Sequence, residues 1–266
     1  MEIKQSLKTK RKSDRPLADV DNNLPPWRQV LDAAINRFEE ENAERRQDRS
    51  RQREEEIISA AIRVFARLGV AKTRISDIAA EAGVPAPSLY GYYESKEELA
   101  YAIPIKRQVQ FFAEYARQSE KFDTVHCLLY HFLWLTADFA RRHPDWAGVL
   151  YLEVWPSVLI KEARVRSVVD DYARIVVGLI RDGSDRGEWP EDPDPYQTAT
   201  IFIGALSQLI ITWLLYREPR DLLRSVKPML ERLMTLLNPY TTSSAKPHET
   251  TSGKTAALST KRKKRA

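Results

Sequence analysis

Residues 54–103 read EEEIISAAIRVFARLGVAKTRISDIAAEAGVPAPSLYGYYESKEELAYAI, and their spacing predicts four short helices with few residues between them. Ile58, Ala61, Ile62, Phe65 and Leu68 recur at the three- and four-residue intervals of one helix face. Gly69 then supplies the left-handed residue that ends such a helix. Thr73 is placed to cap a second helix that buries Ile75, Ile78 and Ala79. Gly83 provides a tight turn, Val84 plugs the core, and Pro85-Ala86-Pro87 opens a third, short helix. This order is that of a helix-turn-helix, whose last helix protrudes from the unit. The small residues Ala79 and Ala82 let two helices cross closely, so the third can enter a major groove about 12 Å wide. Its outward set is Ala86, Pro87, Ser88, Tyr90, Gly91 and Tyr92, residues able to meet phosphates, thymine methyls and base edges; Tyr93 alternates with Tyr90 and belongs to the core.

Over Arg53–Ile103 the chain resembles the tetracycline-repressor (TetR) family of bacterial regulators. The matching features are an alanine-phenylalanine-glycine first helix (IISAAIRVFARLG), a DIA-x-x-AGV second helix, an S-L-Y third helix and an aromatic-x-S-K-E-x-L fourth helix. The resemblance implies an all-α protein, with an N-terminal helix-turn-helix domain followed by a helical effector-binding and dimerisation domain. It implies phosphate contacts from Tyr90, Tyr92 and Lys96, and groove contacts from Arg74 or Ser76 on the second helix and Ala86, Pro87 and Ser88 on the third. Gly91 departs from the pattern, since many members carry a larger groove-facing side chain there. Pro85-Ala86-Pro87 departs too, where a polar residue or glycine is commoner. With fewer base-edge donors, readout leans on the second helix or on DNA shape. The expected partners are double-stranded operator DNA, a second copy of the chain and a small apolar or aromatic effector.

Upstream, neither Gly nor Pro interrupts Trp27–Leu68, and Val30, Leu31, Ala34, Ile35 and Phe38 form a helical stripe. VLDAAINRF at 30–38 echoes IISAAIRVF at 57–65, although no second turn and helix follows Phe38. From Glu39 to Glu56 the stripe gives way to charge, with pairs such as Glu41 and Arg45 at i,i+4 spacing. The expected segments are a disordered arm at 1–26, an additional charged helix at 27–50, the reading head at 51–100, the effector and dimerisation domain at 101–240, and a disordered basic tail at 241–266.

Charge follows the same divisions. Residues 1–50 hold 11 Lys and Arg against 10 Asp and Glu, and residues 241–266 hold 7 against 1, which leaves 24 against 26 for residues 51–240. The basic pI of about 9.2 therefore belongs to the tail, and any nucleic-acid contact must come from local geometry.

Beyond Ser95 the pattern stays helical, with helices expected at about 95–118, 123–142, 145–152, 157–181, 195–216 and 219–237. Tyr196–Tyr216 is uncharged and long enough to tempt a membrane assignment, but Gln197, Thr198, Thr200, Ser207, Gln208 and Thr212 dilute it. With its amphipathic successor it instead predicts an intersubunit four-helix bundle over 195–237. Pro228 is expected to kink or divide that last helix.

In the resembled family an apolar cavity among the middle helices takes up a small molecule, and the candidates here are Tyr130, Trp134, Trp146, Tyr151 and Trp155, with Glu153, His126 and His131 as polar groups. Phe139, Phe111, Phe112 and Tyr172 lie nearby, and each aromatic can equally be plain core. His126 and His131 are five apart, off the spacing that pairs metal ligands on a helix, so no metal and no cofactor is expected. No phosphate loop, nucleophile elbow or H-E-x-x-H pattern points to an enzyme. A single cysteine, Cys127, and a polar N-terminus lead to a cytoplasmic expectation with no membrane. The competing reading is an all-helical adaptor that docks a protein partner through 27–56 and reads no DNA.

Overall fold

Glycines in the left-handed region and short capping side chains set several of the helix boundaries in the computed structural model, which describes residues 25–44, 48–157, 161, 163–189 and 193–237. Every regular element among them is helical: α1 (Pro26–Glu44), α2 (Asp48–Leu68), α3 (Ile75–Ala82), α4 (Ala86–Leu89), α5 (Lys96–Ser119), α6 (Val125–Arg142), α7 (Pro144–Gly148), a π-helical turn (Val149–Val154), α8 (Ala163–Asp185), α9 (Pro195–Tyr216) and α10 (Leu222–Met234). The arm, apart from its last two residues, and the whole tail at 241–266 lie outside the described residues.

Gly69 (φ 76°) and Gly83 (φ 65°) end α2 and α3 in the conformation that L side chains avoid. Ser95, Thr124, Asp194 and Asp221 cap α5, α6, α9 and α10 through their side-chain oxygens. Thr73 does not cap α3, contrary to expectation. Its hydroxyl turns back to donate to the Gly69 carbonyl at 2.8 Å, and the start of α3 is closed by Asp77, which accepts from the Arg74 amide at 2.9 Å. A carboxylate in the first turn also complements the helix dipole, which a threonine cannot do.

α2, α3 and α4 form the head, and α5 leaves it to enter the body built from α6, α7, the π turn, α8, α9 and α10. Phe111, Tyr115 and Phe132 are fully or almost fully buried in the body, with the Tyr115 and Phe132 rings edge to face at 4.8 Å. The expected helix at 145–152 is split into α7 and the π turn. The one expected at 157–181 begins later, at Ala163, after the Trp155-Pro156-Ser157 turn. α10 runs through Pro228 as one helix, shorter than the expected 219–237.

α1 docks along α8 and α5. Trp27, Leu31 and Ala34 are buried, and Trp27 Nε1 donates to Asp182 at 3.0 Å. Gly178 permits the approach, because a Cβ there would lie 2.8 Å from that of Trp27. Arg37 pairs with the buried Asp171 at 3.2 Å. α9 is long and apolar enough to span a membrane by length and composition, yet Phe202, Leu206, Ile210 and Trp213 are buried within the protein. Ile201, Leu215 and Tyr216 on α9 and Leu236 just beyond α10 remain exposed.

Candidate functional site

The reading face grows out of two fixed turns. Val84 donates to the Ala79 carbonyl and Gly83 to that of Ala80, which sets the angle between α3 and α4. Leu89, fully buried, anchors the single turn of α4. Anchoring that one side chain turns Pro87, Ser88, Tyr90 and Gly91 outward, with Arg74 and Ser76 exposed at the start of α3. Tyr90 is 58% exposed, whereas Tyr93 is buried and donates to Glu54 at 2.8 Å, so the two tyrosines divide as expected. Ala86 and Tyr92 are half-buried against the core, each with part of its side chain still exposed.

Lys96 stands half-buried at the start of α5. Its ammonium donates to the carbonyls of Ala71 (2.8 Å) and Thr73 (3.0 Å), across the loop between α2 and α3. It fixes the turn that presents Arg74, and a backbone phosphate would have to share it with two carbonyls. Lys72 is exposed on the same loop. An exposed lysine in a loop gives no signal until the loop's position is known.

The second site lies in the body, where α5, α6, α8, α9, α7 and the π turn line a partly open cavity of about 80 Å³. Phe111, Phe139 and Val169 form part of its apolar wall, and no lining residue carries a formal charge. Of the expected effector residues, Trp146, Tyr151 and Trp155 line it. Phe139, Phe111 and Tyr172, expected nearby, line it too. Thr136 Oγ1 and Tyr172 Oη are 2.9 Å apart, and Tyr151 hydrogen-bonds to Ser207. Burial pushes both tyrosine hydroxyls up, that of Tyr151 to about 12, so they remain neutral donors. Gln108 Nε2 and Trp146 Nε1 are buried without a hydrogen-bond partner.

Tyr130, Trp134 and Glu153 do not line the cavity. The first two stand two positions either side of Phe132, about 200° around α6 from the face that carries Phe132, Thr136 and Phe139. Tyr130 feels the charge of Glu231 on α10, and Trp134 stacks on His131 at 6.0 Å. His131 is itself packed against Tyr115 and Phe122, and His126 lies at the start of α6 beside Trp189. Gln108, Thr136 and Ser207 were missed, because isolated polar residues on long helices read as surface until the facing helices are known.

Glu153 has another place. Its carboxylate accepts from the Val70 amide at 2.9 Å and lies against Gly69, where α2 ends. A side chain at position 69 would crowd that carboxylate, with a Cβ 3.3 Å from Oε1. The segment 149–155 therefore faces two ways: Leu150, Tyr151 and Trp155 line the cavity, and Glu153 holds the head. Among the described residues no cluster of His, Cys, Asp and Glu has the makings of a metal site.

Comparison with known proteins bears on both regions. Residues 57–103 match the family model of bacterial regulatory proteins of the tetR family, and residues 105–236 match that of the C-terminal region of YsiA-like proteins. The fatty acid metabolism regulator protein of Bacillus subtilis (strain 168) is 27% identical over 186 residues, which span 67% of this chain and 92% of the relative. The crystal structure of the regulator FadR from Bacillus subtilis with stearoyl-CoA superposes with a TM-score of 0.63 at 24% identity, over 67% of this chain and 96% of that one. That of AibR with isovaleryl coenzyme A and operator DNA gives 0.57 at 17% identity, over 68% and 97%.

Proposed function

Because this chain belongs to the tetR family of bacterial regulatory proteins and is a DNA-binding transcriptional regulator, we propose that it acts as a cytoplasmic homodimeric repressor, released from a palindromic operator when an apolar effector enters the body cavity. The adaptor alternative falls with the family assignment, and family members of this kind are regulators rather than enzymes.

The segment 149–155 is the observation that carries this reading. An effector seated against Leu150, Tyr151 and Trp155 displaces the same segment from which Glu153 grips the end of α2. A shift of the head follows, and in a dimer two heads must match half-sites about 34 Å apart, so a small displacement lowers affinity by about 1–3 kcal/mol. The exposed Ile201, Leu215 and Tyr216 of α9 and Leu236 beyond α10 supply the apolar surface for the partner copy, which 195–237 forms as a bundle. Acyl-CoA molecules, present in the structures of FadR and AibR, are the effector class we infer for the apolar cavity of this chain.

Footprinting of the DNA flanking its own gene tests the reading. The wild type protects a palindrome, and the double variant Arg74→Ala, Tyr90→Ala loses at least about 2 kcal/mol of operator affinity with its sedimentation as a dimer unchanged. Equal protection by wild type and variant overturns the assignment of the face, and sedimentation as a monomer overturns the dimer.

A further inference from the structure

We propose that the cavity receives a compound with a neutral carbonyl oxygen, which accepts a hydrogen bond from Gln108 Nε2 or Trp146 Nε1. The proposal rests on the cavity being the effector site and specifies what that effector presents.

The argument is one of unspent donors. Four polar side chains of the lining are already paired with each other, Thr136 with Tyr172 and Tyr151 with Ser207. Gln108 and Trp146, 8% and 6% exposed, line the same space and leave their N–H groups without a partner. Unpartnered buried donors are uncommon because each forfeits the hydrogen bond it had in water, so two of them on one cavity point to an acceptor that arrives from outside. The indole N–H of Trp146 can only donate. A ligand offering an alkyl surface alone leaves both donors unserved.

The charge of that acceptor follows from the same lining. Pro104, Phe111, Phe139 and Val169 are typical of its walls, and no Lys, Arg or His is among the lining residues. A carboxylate entering such a space loses its hydration with no cation to replace it, whereas an ester, thioester or ketone oxygen brings the acceptor without the charge.

Four probes separate the possibilities by calorimetry and thermal shift on the full-length protein: hexanoyl-CoA, methyl hexanoate, hexanoate and cyclohexane, the last having no acceptor. The expected result is that a neutral hexanoyl compound binds at least about tenfold more tightly than hexanoate. Trp146→Phe and Gln108→Leu each weaken that compound about tenfold, more than either changes cyclohexane binding, and leave operator binding as in the wild type. Binding of the thioester but not the methyl ester identifies a coenzyme A ester as the source of the carbonyl, and binding of both identifies the carbonyl alone as sufficient; either supports the proposal. Hexanoate binding as tightly as the methyl ester and the thioester overturns it, as does undiminished ester and thioester binding by both variants. If cyclohexane binds and displaces operator DNA while no carbonyl compound does better, the effector site stands and the carbonyl is wrong. If none of the four binds or affects operator DNA, the assignment of the cavity as effector site fails first.

Discussion

In the head, polar side chains are spent on turns: Lys96 on the carbonyls of Ala71 and Thr73, Thr73 on Gly69, Tyr93 on Glu54. In the body, the side chains around the cavity include two donors with nothing to hold, set in walls of Phe, Val and Trp. One region is determined by backbone geometry, in which a particular residue must stand at a particular turn. The other is determined by volume, in which many combinations of apolar side chains enclose the same space. A reading surface has to be rigid before its partner arrives, whereas a receptor cavity keeps part of its hydrogen bonding in reserve.

The difference can be broken most forcefully from the body. Phe132→Ala removes a fully buried ring that packs on Tyr115 and Phe111 and should cost about 3–5 kcal/mol in denaturant unfolding. A loss below about 1 kcal/mol means that the body tolerates voids and that volume does not determine it. Next comes the joint. Glu153→Leu leaves the Val70 amide without its acceptor, for about 1–3 kcal/mol, and uncouples the two regions: operator and effector each still bind, but effector no longer lowers operator affinity. Undiminished release of DNA by effector in this variant shows that the signal takes another route.

Lys96→Met sharpens the account of the head. Loss of two charge-assisted bonds to loop carbonyls should lower stability by about 1–2 kcal/mol. Unchanged stability, with the salt dependence of operator binding reduced by about one ion, returns Lys96 to a phosphate. The smallest effect is one of pH. Burial holds the His131 and His143 imidazoles below the usual histidine range, with Glu114 opposing and Lys121 assisting at His131. The folded state therefore takes up fewer protons than the unfolded chain as pH falls through about 6.5, and stability declines with it. His131→Phe should flatten part of that decline in melting temperature between pH 7 and 5; an identical slope removes His131 from the account.

The same contrast explains what could be read from the residues alone. Gly69, Gly83 and the S-L-Y and S-K-E patterns have few alternative uses, so the head was legible down to which of Tyr90 and Tyr93 faces water. α9 was legible to its ends because Pro195 opens it and it runs unbroken to Tyr216. Thr73 and Lys96 were harder, since their partners are backbone groups whose positions depend on how two turns come together. In the body, Trp and Tyr advertise a cavity without saying which face of a helix looks into it, so Trp146, Tyr151 and Trp155 were found while Tyr130 and Trp134 lay on the wrong side of α6. Glu153 stood out as a charge in an apolar run, a sound signal of function, but its partner is the amide of Val70, 83 residues away. The apolar stripe of α1 was legible but not its docking partner, since that contact rests on Trp27 meeting Gly178 of α8.

The grip of Glu153 on Val70 also bears on portability. Heads of this size invite exchange between regulators, to give an old sensor a new target. Here a transplanted head would need a free amide at the end of its first helix, and a residue as small as glycine before it. It would also need acidic residues where Glu54 and Glu55 meet Lys106 and Arg107 of α5. A chimera lacking these matches would lose the contacts through which the head and the body meet.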